Sequence, residues 1–185
     1  MMSNHARLAA APLAALALAA CTPADDAAPT AAAPAASAPT LAAGLKAGGE
    51  LDSVESIVAA AGLESVLEGV GPYTVFAPTD AAFGAAGAGD LASEENRAPA
   101  AALLRAHIVP GALTRQDILD AIDGAGTGKA EMRTMDEGLL SFSRDGEAVI
   151  VTAADGSTAR LTGEQTLARN GVIQPVDGVL VKAEG

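Results

Sequence analysis

Cysteine, aromatic residues and basic charge are all scarce in this chain, and each scarcity excludes something. One cysteine among 185 residues rules out an internal disulfide, so the core must stabilise the fold alone. There is no tryptophan, one tyrosine and three phenylalanines, which leaves little material for an aromatic-lined ligand pocket. Eleven Lys and Arg stand against 23 Asp and Glu, a net charge of −12. That balance lacks the basic face that nucleic-acid binding needs and opposes attraction to anionic lipid headgroups. Only two histidines are present, and His5 lies in the leader-like N-terminus. One remaining imidazole with no thiolate partner does not make a zinc site, and no Asp-x-Asp-x-Asp-Gly run suggests a calcium loop. No metal and no cofactor are expected. Nor is there a long hydrophobic run: Leu8–Ala17 is uncharged and apolar, broken only by Pro12, and is too short to cross a hydrocarbon core of about 30 Å.

What is there begins with an export signal. Residues 1–20 read as a leader, and Leu18-Ala-Ala-Cys21 resembles a bacterial lipobox, in which the cysteine is acylated and the chain is cut just before it. The other reading is an ordinary leader cut at an Ala-x-Ala site, leaving Cys21 as a stray thiol. Two or more acyl chains make a stable membrane anchor, and this would be the only membrane contact. Thr22 stands where an Asp would mark inner-membrane retention, so by resemblance the expected location is the outer membrane of a bacterial envelope, facing periplasm or surface. Residues 21–43 are rich in Ala, Pro and Thr. Pro23, Pro29, Pro34 and Pro39 forbid a continuous helix, which predicts an extended tether. Residues 44–183 remain for a single domain.

That domain is organised around Tyr73-Thr-Val-Phe-Ala-Pro-Thr-Asp-Ala-Ala-Phe83, which holds three of the four large aromatics. Alternation predicts a buried strand with Tyr73, Val75 and Ala77 on one face and Thr74 and Phe76 on the other. Pro78 ends it. Thr79 caps a helix whose first turn holds Asp80, and Phe83 folds back onto the strand. Before it, Asp52 and Glu55 suggest a capping box for a helix burying Val54, Ile57, Val58 and Ala61, followed by a short helix over 64–68. After it come a flexible Gly84–Gly89 loop, a polar helix over 90–98 capped by Ser93, and a helix over 100–106 burying Leu103 and Leu104. Pro110-Gly111 turns the chain, and Thr114 caps a helix over 115–122. From Met132 the period changes to two, predicting strands over 132–135, 139–144, 148–152 and 159–162 separated by Asp/Gly turns. The last strands lie within 171–182. Helices first and strands second give an α+β class.

Catalytic patterns are missing. Gly124-Ala-Gly-Thr-Gly-Lys129 would need glycine at Asp123 and Ser or Thr at Ala130 to be a phosphate loop, and Gly84–Gly89 does not match a dinucleotide fingerprint. No Gly-x-Ser-x-Gly elbow exists. His107 sits beside Leu104, Ile108 and Val109, as a buried histidine does whose ring nitrogens satisfy backbone groups.

Three segments together resemble fasciclin-like domains: Thr74–Phe83, Leu103-Leu-Arg-Ala-His-Ile-Val-Pro-Gly-Ala-Leu-Thr114, and Asn170-Gly-Val-Ile-Gln-Pro-Val-Asp-Gly-Val-Leu180. The resemblance covers about Leu45 to Val181. It implies the fasciclin-like wedge, a twisted β-sandwich-like body with several packed helices, and structural roles for Thr74, Phe76, Pro78, Thr79, Asp80, Phe83, His107, Pro110, Asn170, Gly171 and Asp177. It also implies that the third segment pairs with the central strand. The chain departs from its relatives in places. Gln174 replaces a usual His, and Pro175 implies an edge or bulge. The Asp-Ile pair tied to integrin contact is Gln165-Thr166 here, and the Tyr-His pair tied to adhesion is Ala106-His107, so integrin binding does not carry over. The resemblance implies a non-catalytic interaction or adhesion module, its partner an envelope or extracellular protein or polysaccharide. Since some microbial relatives carry pigments, a carrier of a small apolar, carotenoid- or lipid-like ligand is the alternative.

Overall fold

A computed structural model describes residues 37–87 and 89–181. The expected leader, Cys21 and most of the expected tether lie outside the described residues. The helical part comprises α1 (Leu41–Ala47), α2 (Asp52–Ala61), α3 (Glu64–Glu68), α4 (Asp80–Ala86) and α5 (Arg97–Ala106), with two 3-10 turns over Gly89–Ala92 and Glu94–Asn96. Strands β1 (Tyr73–Pro78) and β2 (Ile108–Pro110) run between and after these, and α6 (Arg115–Gly124) follows. Then come β3 (Lys129–Arg133), β4 (Leu139–Asp145), β5 (Ala148–Ala153), β6 (Thr158–Arg160), β7 (Thr166–Ala168) and β8 (Gly171–Val176).

Two four-stranded sheets result, ordered β2-β1-β8-β7 and β3-β4-β5-β6. The second is a plain antiparallel meander. In the first, β1 pairs antiparallel with β2 and parallel with β8, from Tyr73 opposite Gly171 to Pro78 opposite Val176. A parallel neighbour cannot be reached through a tight turn and needs a crossover connection, which here is the whole chain between β1 and β8.

β1 divides two cores, and the alternation along it decides which residue enters which. Val75 and Ala77 join a helical core with Leu41, Leu45, Val54, Ile57, Leu67, Phe83 and Leu104. Phe76 joins a sandwich core with Ile118, Ile122, Leu140, Phe142, Val151 and Val176. There Phe76 meets Phe142 at a ring-centroid distance of 5.3 Å, tilted by 42°, a geometry worth about 1 kcal/mol beyond simple burial.

Several elements differ from expectation. The tether does not run to residue 43: α1 begins at Leu41, capped by Thr40, because Leu41 and Leu45 are fully buried. The 90–98 stretch forms 3-10 turns, and α5 starts at Arg97. Pro99 thereby falls in its first turn, where the missing N–H has no intrahelical partner to lose. α4 continues through Gly84 to Ala86 and ends at Gly87, whose φ is 67°. β3 begins at Lys129, with the small Ala130 turned inward. Residues 179–181 form no strand, because the Leu180 N–H is bonded to a side chain rather than a ladder. Pro175 lies in β8, a central strand; β7 pairs only with Gly171–Ile173, and at Pro175 the ladder is replaced by a single bond from Thr162 N–H to the Pro175 carbonyl at 2.9 Å beside a Leu161–Val176 bridge, so the missing proline N–H is not needed.

Candidate functional site

His107 caps the C-terminus of α5 and is buried, 1% exposed. Its Nδ1 lies 2.7 Å from the Leu103 carbonyl oxygen, and its Nε2 is 2.9 Å from the Leu180 amide nitrogen. An amide can only donate, so Nε2 is the acceptor and Nδ1 carries the proton. Burial pushes the imidazole down to about 4, against the opposing pull of the Leu103 carbonyl and of Asp136 and Asp155. Both ring nitrogens are occupied by main chain, so the ring has no lone pair to offer a nucleophile.

Asn170 is a second fastening point. Its Oδ1 accepts from Leu41 N–H at 2.9 Å, and its Nδ2 donates to Leu67 and Gly69 carbonyls at 2.8 and 2.9 Å. Its own carbonyl accepts from Tyr73 N–H at 3.1 Å. One side chain thus closes the start of α1 and the end of α3 against the strand. The neighbouring Gly171 has no room for a side chain: a Cβ there would stand 1.9 Å from the Tyr73 carbonyl oxygen. The Asn-Gly pair is therefore held by close packing rather than by turn preference.

Asp80 corrects the expected capping box. Residue Leu51 is the N-cap of α2, with no side-chain bond to the helix, and Asp52 lies within it. Asp80 supplies the missing acceptor across the fold, taking Ser53 N–H at 2.8 Å. The Ser53 hydroxyl and amide hold its carboxyl below the usual carboxylate range. Thr79 caps α4 through Ala82 N–H at 3.3 Å. Thr74 Oγ1 donates to Gly111 carbonyl at 2.7 Å and accepts from Leu113 N–H at 2.8 Å, which pins the Pro110-Gly111 turn to β1. Asp177 and Arg160 clamp each other, with Arg160 N–H to Asp177 Oδ1 at 2.6 Å and Asp177 N–H to the Arg160 carbonyl at 3.1 Å. Pro78 closes β1 opposite Val176.

Gln174 is fully buried. Its Nε2 donates to the Leu113 carbonyl at 3.1 Å and to Gln165 Oε1 at 3.0 Å. Gln165 Oε1 also takes Arg115 N–H at 2.6 Å, while the Arg115 guanidinium reaches the Gly163 and Thr162 carbonyls. Gln165, which stands at a family adhesion position, is thus spent inside the fold, and Thr166 is exposed on β7. The structure does not gather the motif residues into one site; it distributes them as ties between distant segments. Among the described residues no three His, Cys, Asp or Glu side chains cluster as metal ligands, and no helix is long and apolar enough to cross a membrane.

Sequence reasoning gave no hint of two surface features. One is a narrow cleft of about 160 Å³ where the end of α5, the β3–β4 turn, the β5–β6 turn and Leu180–Val181 meet. The other is an open depression on the second sheet, about 470 Å³, framed by Arg144, Asp145, Arg160 and Asp177. Its charges pair with their neighbours: Arg160 with Asp145 at 2.8 Å, and Arg144 with Asp123 at 3.3 Å.

Parallel β1–β8 pairing between two signature segments, with helices on one side and a meander on the other, defines a known class. The Fasciclin domain family model matches residues 49–182, and the chain belongs to that family. It is similar to Protein sll1483 of Synechocystis sp. (strain ATCC 27184 / PCC 6803 / Kazusa), 31% identical over 140 residues, covering 73% of this chain and 69% of that protein. It is also similar to Uncharacterized protein sll1735 of the same organism, 30% identical over 128 residues, covering 67% of this chain and 84% of that protein. Among solved structures, the domain pair from the insect cell adhesion molecule Fasciclin I superposes with a TM-score of 0.61 at 17% identity, over 74% of this chain and 46% of that one. The chain thus spans less than half of that domain pair, and the likeness establishes the fold.

Proposed function

We propose that this protein is a non-catalytic interaction module of the bacterial cell envelope, held to a membrane through acylated Cys21 and a short tether. The observation that carries the reading is the use made of the family-motif side chains. His107, Asn170, Asp80 and Thr74 are each committed to hydrogen bonds within the fold, in a family whose domains generally serve adhesion. Reactive groups are thereby converted into structural ties, leaving the surface to act. The carrier reading is less supported: a carotenoid- or lipid-sized ligand needs a pocket of several hundred Å³, and among the described residues the apolar cleft offers about 160 Å³.

Two measurements test this. The protein, expressed with its own leader and extracted in mild detergent, should give a native mass carrying only acyl groups, and Cys21→Ser should abolish acylation and membrane retention. In-cell cross-linking should then trap a discrete envelope partner. A bound chromophore or discrete small-molecule mass would replace the module reading with the carrier reading, and acylation-independent membrane retention would overturn the anchor.

A further inference from the structure

One end of the first sheet carries an exposed apolar rim. The last row of that sheet is Pro110–Tyr73–Gly171–Ala168, and three connections meet just beyond it. The Gly69–Pro72 loop leads into β1, Pro110-Gly111 turns the chain out of β2, and Arg169-Asn170 turns it from β7 into β8. Val70, in the middle of the loop, is 95% exposed, the most exposed large apolar residue among those described. Pro72 and Pro110 are exposed on the same rim. The loop is fixed on both sides: Asn170 Nδ2 donates to the Gly69 carbonyl at 2.9 Å, and Gly111 N–H donates to the Pro72 carbonyl at 2.9 Å. A Cβ on Gly71 would stand 2.0 Å from the Asn170 carbonyl oxygen, so the loop is also closely packed. Arg169 is exposed, forms no ion pair with another described residue, and donates its N–H to the Pro39 carbonyl at 2.8 Å. The chain arriving from Cys21 therefore joins the domain at this same end.

We infer that this end of the domain rests on the bilayer that holds the acyl anchor, with Val70 and the exposed prolines among zwitterionic headgroups and Arg169 at their phosphates. An apolar side chain held in water by a fixed backbone gains by entering the boundary between headgroups and acyl chains. An arginine at that level reaches phosphate while its stem stays in the apolar layer. The charge of this end suits the contact. Arg169 is the only charged residue in the three connections, and Glu68 stands just before the loop, whereas the whole chain carries −12. Cys21 lies 18 residues before Pro39, and a link of that length gives an effective concentration of about a millimolar, so a shallow contact is enough. The inference rests on the acyl-anchor reading and adds to it, since the sequence suggests no membrane contact besides the acyl chains.

The test uses the full-length protein, expressed with its own leader, ¹⁵N-labelled and placed in nanodiscs of phosphatidylcholine and phosphatidylethanolamine, with and without a nitroxide on some headgroups. The nitroxide should broaden the amides of Val70, Gly71, Gly111 and Arg169, while those of Gly146 and Gly156, in the hairpin turns of the second sheet, stay sharp. Val70→Asp should cut that broadening roughly three- to ten-fold, and Val70→Leu should keep it; both leave remote amides in place, because the Val70 side chain is in solvent. The chain has no tryptophan, so Val70→Trp gives a second readout: its emission should shift to the blue on the same nanodiscs, and that of Leu139→Trp should not. Uniform broadening of exposed amides, or broadening that Val70→Asp leaves unchanged, would overturn the inference, and an acylated Cys21 would still uphold the anchor reading. Amide shifts at this rim that follow protein concentration without lipid would assign it to a second copy and also overturn the inference. An unmodified Cys21 in the intact mass would defeat the anchor reading and this inference with it.

Discussion

The helical core and the sandwich core share one strand yet are held together in different ways. The sandwich core is a meander in which each strand pairs with its sequence neighbour, so ladder bonds satisfy the backbone locally. The meander's inward side chains are apolar, and Phe142 meets Phe76 of β1 at the centre. Helices leave unpaired N–H and C=O groups at their ends, and the helical core buries several such ends. It therefore needs polar side chains brought from far along the chain, Asn170 across 129 residues to Leu41 and Asp80 across 27 to Ser53, while His107 ties the end of α5 across 73 residues to Leu180 of the sandwich core. The sandwich side has remote ties as well, Gln174 to Leu113 across 61 residues and Arg115 to Gln165 across 50, but they lie outside the β3–β6 meander, which apolar fit and its own ladders hold.

The largest effect should come where the cores meet. Phe76→Ala removes the ring shared between β1 and the sandwich and should cost about 3–5 kcal/mol, read as a lowered denaturant midpoint, with the loss of protection spread across both halves. Asn170→Ala strands one buried N–H and two carbonyls and should cost about 3 kcal/mol. Hydrogen exchange should show that loss concentrated in α1 and α3 while the β3–β6 meander keeps its protection. If α1 and the meander lose protection equally, the division into two differently held cores is wrong.

Acid should act on the helical core first. His107 is buried neutral, so its folded value of about 4 lies below the ordinary 6.5. Between those values the unfolded chain binds the extra proton, and stability falls as pH drops from about 6.5 to about 4, by up to roughly 3 kcal/mol. Below about 4 both states are protonated and this contribution is gone. His107→Ala should lower the melting temperature at neutral pH and flatten the profile across that window; an unchanged melt would mean the two ring bonds carry no stability. The smallest effect belongs to Asp80→Asn, about 1 kcal/mol at neutral pH. Because the carboxyl sits below its ordinary value of 3.8, that contribution persists above the unfolded value and is lost as pH falls through the folded one. Its signature is therefore a difference from the parent that shrinks in acid below the His107 window.

Legibility followed the same division. β4 and β5 were readable because alternation and Asp/Gly turns are local signals, and β1 was readable because its two faces alternate cleanly. α1 was missed since Leu41-Ala-Ala lacks the long amphipathic period that marks a helix, and its burial depends on Asn170. β7 was missed because three residues with an exposed Leu167 carry no pattern. Asp52 looked like half of a capping box, but the acceptor at α2 came from another helix.

By itself, the sequence determined the two periods, the turn positions, the strand that faces both ways and the need of His107 for backbone partners. These follow from bond geometry and side-chain chemistry within a few residues. Only the tertiary structure decided which helix Asp80 caps, which ends Asn170 closes, and that Ala106 borders a cleft edged by two aspartates. Each of those depends on groups far apart in the chain meeting at hydrogen-bond or van der Waals distance. No local rule encodes that meeting; for Asn170 the parallel pairing of β1 with β8, Tyr73 opposite Gly171, brings it about, and for the others helix and turn packing does.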